Sequence, residues 1–227
     1  MAVTGSAPVC APAARRIGVY GGAFDPPHRA HRALAEAALR QLSLDTLLIL
    51  PTGQAWHKAR PLTDARHRLA MCRLAFADLP GVVVDGREIA RDGPTYTVDT
   101  LAELRAEHPG AALFVVMGAD QWLAFRTWRR WEDILRWATV AVANRPLVGG
   151  SAPLPDLAQV GLPFVALDLP PTDLSATAVR DQWRQANRPS GARDATPAPD
   201  GAALVPPAVA RYISDHRLYA ATHGPAA

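Results

Sequence analysis

The chain has 227 residues, of which 49% are hydrophobic and 20% charged, a composition typical of a globular domain with a full apolar core. Its 24 basic and 21 acidic side chains leave a formal net charge of +3, and the basic residues form no run, so we expect no nucleic-acid partner. Two cysteines, Cys10 and Cys72, are too few for a disulfide framework or a four-ligand zinc site. No apolar stretch approaches the roughly 18 residues of a membrane span.

Residues 1–14 are mostly small, and Arg15 and Arg16 come after them, which is the reverse of a secretory signal peptide. We therefore expect a disordered amino-terminal tail over residues 1–15 and a cytoplasmic protein. From residue 16 to 227 we expect a single domain. Within it, residues 187–203 are rich in proline, glycine, alanine and aspartate, and this composition predicts a surface loop.

Apolar runs alternate with stretches of helical periodicity along the rest of the chain. The strand candidates are Arg16–Tyr20, Asp45–Pro51, Val82–Ile89, Ala111–Asp120, Thr139–Pro146 and Pro163–Leu169. The helix candidates are His31–Leu42, Thr63–Leu79, Thr97–Gly110, Trp131–Ala138, Ser175–Ala186 and Ala208–Tyr219. This order predicts an α/β fold with a doubly wound, Rossmann-like parallel sheet and helices on both faces.

The segment "GGAFDPPHRAH" (Gly21–His31) connects the first predicted strand to the first predicted helix. Gly21 and Gly22 would let a phosphate approach the backbone, while His28 and His31 could both face one anionic group. A zinc site would need a third ligand, and the lysine followed by Ser or Thr of a P-loop is missing. On its own, the segment leaves open a phosphate site, a metal site or an ordinary loop.

The same segment resembles the first signature of the HxGH nucleotidyltransferases, and "LSATAVR" (Leu174–Arg180) resembles their second, Ser-x-Thr-x-x-Arg. Further stretches resemble the nicotinate-nucleotide adenylyltransferase branch of that superfamily. They lie at His57–Met71, Gly93–Leu101, Val116–Leu135 and Leu204–Tyr219. The resemblance runs from about Arg16 to Tyr219 and favours the phosphate site.

The resemblance implies transfer of AMP from ATP to nicotinate mononucleotide, which gives deamido-NAD and pyrophosphate in NAD biosynthesis. Mg²⁺ is expected to arrive with ATP, and no metal ligands of the protein's own are expected. The partners implied are the two nucleotides, without nucleic acid or membrane; a homo-oligomer is compatible with the sequence. The alternatives are a transferase of the same fold acting on nicotinamide mononucleotide or another phosphate acceptor, and a non-catalytic nucleotide sensor.

The resemblance also assigns roles to individual residues. The expected catalytic residues are His28, His31 and Arg180. The expected ATP contacts are Gly21, Gly22, Ala23, Phe24, His28, His31, Ser175, Thr177 and Arg180. The expected contacts to the mononucleotide are Thr52, Lys58, Tyr96, Thr97, Asp120, Trp128 and Arg129.

Several of these residues also have a purely structural interpretation. Ser175 precedes a predicted helix and could simply cap it. With Trp122, Trp131 and Trp137 close to Trp128 in the sequence, we expect at least two of the four tryptophans to be structural.

Two departures from the family pattern are visible. Ala30 stands where the first signature usually has glycine, and a methyl group predicts only a slight adjustment. The stretch "LPTGQAWHK" has Thr52-Gly53 where relatives often carry asparagines and Ala55-Trp56 where prolines are common.

Overall fold

The computed structural model describes residues 14–53, 62–144, 156–170, 172, 174–186 and 201–219. Its centre is a six-stranded sheet in which every pair of neighbouring strands is parallel, in the order β3-β2-β1-β4-β5-β6. The strands are β1 (Arg16–Gly22), β2 (Thr46–Pro51), β3 (Val82–Val84), β4 (Ala112–Gly118), β5 (Ala138–Ala143) and β6 (Val165–Leu167). The predicted doubly wound fold is confirmed.

Helices connect and cover the strands. They are α1 (Arg29–Gln41), α2 (Ala65–Phe76), α3 (Arg87–Ala90), α4 (Thr97–Glu107), α5 (Ala119–Leu123), α6 (Trp131–Trp137), α7 (Ala176–Ala186) and α8 (Pro207–Asp215). Short 3-10 turns lie at Phe125–Thr127, Leu157–Val160 and Gly201–Leu204. Among the described residues, no helix has the length and apolar character needed to cross a bilayer.

The sheet separates two apolar cores because successive side chains of a strand point to opposite faces. On β1, Val19 lies in the core that α4, α5 and α6 cover. Its neighbour Tyr20 lies in the core formed with α1, α2, α7 and α8. Coverage of both faces explains why β1, β2, β4 and β5 are almost continuous apolar runs.

The strand order reverses between β1 and β4, which lie side by side at the centre, with Val19 in register with Val115. In a doubly wound sheet, ligands bind beyond the carboxyl ends of the strands at this reversal. The fold therefore places its binding crevice where β1 and β4 end.

Four predicted strands end earlier than the sequence suggested, and β5 and β6 stop at Ala143 and Leu167 rather than at Pro146 and Leu169. The prediction of one strand over Val82–Ile89 is wrong beyond Val84, because Asp85 turns the chain. Its carboxylate accepts from the backbone N–H of Arg87 at 2.8 Å and from the Arg87 Nε at 2.7 Å. The predicted strand Ala111–Asp120 likewise gives way to α5 after Gly118.

The predicted tail falls almost entirely on residues outside the described ranges. The predicted surface loop at 187–203 is described only from residue 201, where a 3-10 turn begins.

Gly53, just after β2, touches the backbone of α3 too closely for any side chain. A β-carbon at Gly53 would lie 2.2 Å from the carbonyl oxygen of Glu88, and backbone cannot move aside as a flexible side chain can. At Gly21, by contrast, a β-carbon would meet no atom within 4 Å. Gly53 therefore sets the distance between the β2 end and α3.

We expect Gly53→Ala to lower the free energy of unfolding by about 1–3 kcal/mol, the usual cost of forcing an extra carbon into packed structure. Gly21→Ala is the matched control and should be neutral or slightly stabilising, by less than about 1 kcal/mol. Urea unfolding followed by circular dichroism measures both. Equal stabilities for the two variants would contradict the close approach at Gly53.

Candidate active site

The predicted site residues that the structure describes lie toward one edge of the sheet. Gly22 ends β1 in register with Pro51 of β2, and the N–H of Thr52 donates to the Gly22 carbonyl at 2.9 Å. Gly118 ends β4, the other neighbour of β1. In a parallel sheet, the helix that follows a strand begins at this same edge, which brings the starts of α1, α4, α5 and α7 there.

The β1–α1 loop (residues 23–28) is half-buried at Ala23 and buried from Phe24 to His28. Space is open beside Gly21, as a phosphate site requires. Phe24 adopts a left-handed conformation with φ of 46° and is buried. Its ring packs edge-on against Tyr20 and Phe76, with centroids 5.3 and 6.2 Å away. The predicted ATP contact of Phe24 could thus come only from its backbone.

His28 and His31 form a reciprocal cap at the start of α1. His28 is the N-cap residue and only 3% exposed, and its backbone N–H donates to Nδ1 of His31 at 3.1 Å. The two rings are stacked, with centroids 3.7 Å apart. Because Nδ1 of His31 accepts a hydrogen bond, the proton of the neutral ring lies on Nε2. His31 is thereby set as an Nε2–H donor.

The helix terminus beside this pair carries positive potential. The first turn of α1 contains no acidic residue, so no carboxylate within that turn opposes the partial positive charge of the helix amino terminus. Arg29, in the same turn, is exposed. This end of α1 has the charge and the donors that an anion requires.

The second signature lies at the start of α7 and touches the β1–α1 loop. Ser175 Oγ accepts from the backbone N–H of Ala178 at 3.2 Å, which bears out its interpretation as a helix cap. Arg180 is 6% exposed and donates from Nη1 to the Asp25 carbonyl at 2.7 Å and from Nη2 to Thr177 Oγ1 at 3.0 Å. Arg180 therefore ties α7 to the loop, while Ser175 and Thr177 stay exposed.

A cavity of about 520 Å³ opens between α1 and α7. Its wall is mostly small or apolar, and the methyl group at Ala30 forms part of it. This cavity was not predicted from the sequence, although Ala30 and Ala33, three residues apart on α1, are a signal for it. It is lined by Arg29, Ala30, Ala33, Leu169, Pro170, Thr172, Leu174, Ala178, Gln182 and Leu204.

On the other side of the crevice, two predicted residues contact each other. Tyr96 is the N-cap residue of α4 and Thr97 its first residue. The guanidinium carbon of Arg129 lies 4.7 Å from the centre of the Tyr96 ring, a cation–π distance. Through this contact, the segment between α5 and α6 packs against the start of α4.

The tryptophans behave largely as structural residues. Trp122 is fully buried, and its Nε1–H donates to the Leu157 carbonyl at 3.0 Å. Trp131 and Trp137 are partly buried against the same core, so the expectation of at least two structural tryptophans is confirmed. Trp128 is half-buried, with its ring centroid 5.5 Å from that of Phe125.

The remaining predicted residues are placed as follows. Asp120 is exposed in the first turn of α5 and accepts from Gln121 Nε2 at 3.1 Å. A β-carbon at Gly118 would lie 2.8 Å from Asp120 Oδ1, so this carboxylate lies directly over the end of β4. Lys58 lies outside the described residues.

Two buried charged residues that were not predicted from the sequence are Asp25, within the β1–α1 loop, and Arg68, which donates to that loop. Asp25 and Arg68 are each 1% exposed. Asp25 accepts from the Tyr219 hydroxyl at 2.7 Å and from the Thr63 N–H at 3.3 Å. Burial lowers the pKa of Arg68, against the opposing effect of the negative charge on Asp25. Burial and the same carboxylate raise the pKa of Tyr219.

Across the described ranges, no group of three or more His, Cys, Asp and Glu side chains is arranged to hold a metal ion.

Comparison with known proteins gives consistent matches. The sequence model of the cytidylyltransferase-like family matches residues 19–182. A protein of Albidiferax ferrireducens named "Probable nicotinate-nucleotide adenylyltransferase" is 48% identical over 206 residues, covering 90% of this chain and 98% of that protein. A protein of the same name from Methylibium petroleiphilum is 42% identical, covering 92% and 95% of the two chains.

Solved structures support the fold. A nicotinic acid mononucleotide adenylyltransferase of Plasmodium falciparum, in a complex with APC, superposes with a TM-score of 0.69 at 16% identity, over 90% of this chain and 97% of that one. The same enzyme in a complex with NaAD gives a TM-score of 0.67 at 17% identity, with the same coverage. Given the family match and the identity to full-length relatives, the chain belongs to the nicotinate-nucleotide adenylyltransferases, a branch of the cytidylyltransferase-like family.

Proposed function

We propose that the chain transfers the adenylyl group of ATP to nicotinate mononucleotide. A phosphate oxygen of the mononucleotide attacks the α-phosphorus of ATP in line. A new P–O bond forms, the bond between the α-phosphorus and the bridging oxygen breaks, and pyrophosphate leaves with its electron pair. The products are deamido-NAD and pyrophosphate.

The observation that carries this proposal is the histidine pair at the amino terminus of α1, at the sheet's reversal point. The nucleophile is already an anion, so the protein needs neither a base nor a covalent intermediate. It needs to align the two phosphates and to offset the charge that develops on the α-phosphate and on the leaving group. His31, set as an Nε2–H donor, and His28 beside it suit that task.

We assign ATP to the α1 and α7 side of the crevice. The triphosphate would lie along the backbone of Gly21, Gly22, Ala23 and Phe24, with Ser175 and Thr177 near the β- and γ-phosphates. Arg180 would add its charge beneath them while it holds the Asp25 carbonyl. The cavity between α1 and α7 has an apolar wall that suits a purine ring.

We assign the mononucleotide to the α4 and α5 side. Thr97 and Arg129 offer donors to the nicotinate carboxylate, and the half-buried ring of Trp128 offers a face for the pyridine. Asp120, above the end of β4, suits a ribose hydroxyl. Thr52 and Lys58 would contact the ribose or phosphate.

We further propose that Mg²⁺ enters with ATP and is held by phosphate oxygens and water, its usual coordination in nucleotide sites. A cytoplasmic location and a homo-oligomeric state also stay proposals, tested by cell fractionation and by sedimentation of the purified chain.

We expect the enzyme to prefer nicotinate over nicotinamide mononucleotide by at least about tenfold in kcat/KM, or roughly 1.4 kcal/mol. The reason is that a carboxylate offers Thr97 and Arg129 a negative charge and two acceptor oxygens, whereas a carboxamide is neutral and its NH2 group cannot accept. Pyrophosphate release with ATP and either acceptor measures the preference. Equal efficiency would point to another acceptor, and no release with either would favour a nucleotide sensor.

We expect this activity to require Mg²⁺, and EDTA to abolish it without changing the circular dichroism spectrum or the melting temperature. Activity should return when Mg²⁺ is added in excess. Unfolding by EDTA, or stoichiometric zinc in the purified protein, would instead identify the histidine pair as part of a metal site.

We expect His31→Ala to lower kcat by about two to three powers of ten, the scale of losing one preorganised donor. His31→Asn separates catalysis from capping, because its short side chain can still accept from the His28 N–H but cannot reach the position of Nε2. It should therefore lose turnover while keeping the melting temperature. Wild-type turnover per folded enzyme in His31→Asn, measured in a single-turnover experiment, would remove His31 from the reaction.

A further inference from the structure

Arg68 of α2 is a buried cation that is bonded to backbone carbonyls of three separate segments. Its Nε donates to the Thr63 carbonyl at 2.8 Å, its Nη1 to the Ala23 carbonyl at 3.0 Å and its Nη2 to the Gly53 carbonyl at 3.2 Å. At 1% exposed, the side chain has no direct access to solvent or to substrate. Its effect on chemistry must therefore pass through the segments it holds.

Two of those segments belong to opposite halves of the proposed site. Ala23 lies in the β1–α1 loop on the ATP side. Gly53 follows Thr52 on the mononucleotide side, where it also packs against the backbone of α3. Because a guanidinium group is planar and its donors keep fixed directions, it holds two carbonyls at a set separation in a way that a flexible ammonium cannot.

The burial of Arg68 carries a cost in stability. A buried charge loses its hydration, and the pKa of Arg68 is lowered for that reason. Even a well-placed buried ion pair often adds no net stability over apolar residues of similar volume. The neighbouring Asp25 carboxylate offsets part of this cost while the Tyr219 hydroxyl and the Thr63 N–H hold it in place. A buried guanidinium group that is held in this way suits a role in fixing the positions of the carbonyls it contacts.

We propose that Arg68 is a positioning residue, which sets the distance between the ATP loop and the mononucleotide loop and so aligns the attacking oxygen with the α-phosphorus. The inference rests on the proposed adenylyl transfer. In-line displacement is sensitive to small misplacements of the reacting atoms. Loss of the planar group should therefore reduce turnover more than it reduces the binding of either substrate alone.

The test compares Arg68→Lys with Arg32→Lys. Lysine keeps the positive charge in both variants but lacks the planar guanidinium group with its fixed donor directions. Arg32 is a matched control, since it also connects α1 to α2, through the Ala75 carbonyl and the carboxylate of Asp78, without touching either loop of the site. Turnover is expressed per folded enzyme, with the folded fraction taken from circular dichroism at the assay temperature.

We expect Arg68→Lys to lower kcat at least tenfold while each KM changes less than threefold, and Arg32→Lys to keep both within twofold of wild type. A kcat per folded enzyme within twofold of wild type for Arg68→Lys would overturn the proposal, as would an equal loss in Arg32→Lys. Inactive wild-type enzyme would instead count against adenylyl transfer itself.

If Arg68→Lys folds poorly, kcat and KM relative to wild type are also measured for Arg68→Gln. All variants are then assayed again in trimethylamine oxide, which favours the folded state. If trimethylamine oxide restores the folded state of the Arg68 variants and their kcat returns to the wild-type value, Arg68 has a purely structural role and the proposal is overturned. A loss of kcat that persists in the refolded protein would support it.

Discussion

Hydrogen bonds from two buried arginines to backbone carbonyls hold the β1–α1 loop, and the rest of the site is arranged around that loop. Buried backbone carbonyls need hydrogen-bond donors, and in this loop arginine side chains supply two of them. Arg68 donates to the Ala23 carbonyl, and Arg180 donates to the Asp25 carbonyl. Because these arginines come from α2 and α7, they hold the loop from both sides.

That fixed loop determines what the amino terminus of α1 can do. Cap residues usually satisfy the first backbone N–H groups of a helix and have no further role. Here the cap is built from two imidazoles, so the bond that satisfies the backbone of His28 also fixes the proton of His31 on Nε2. In the proposed function, this Nε2–H is the donor to phosphate, and catalysis rests on positioning and on charge.

The sequence predicts the fold and the identity of the site better than it predicts what supports the site. Alternating apolar runs and amphipathic stretches are local signals, and they located every strand, with errors where a polar side chain such as Asp85 ends one. The histidine pair was predictable because its members are three residues apart. Asp25, Arg68 and Tyr219 were not, because their meeting depends on packing between segments far apart in the chain. Arg68 in particular lies in a helix whose sequence resembles that of any amphipathic helix with a polar face.

The claim that His31 is preset as an Nε2–H donor to ATP phosphates can be tested directly by NMR. Long-range ¹H–¹⁵N correlation spectra of the imidazoles, assigned with His31→Asn, report which ring nitrogen carries the proton. We predict that His31 of the free protein is the Nε2–H tautomer and that its Nε2 resonance shifts when Mg²⁺ and ATP are added. A proton on Nδ1, or an Nε2 resonance that ATP leaves unchanged, would contradict this account of the site.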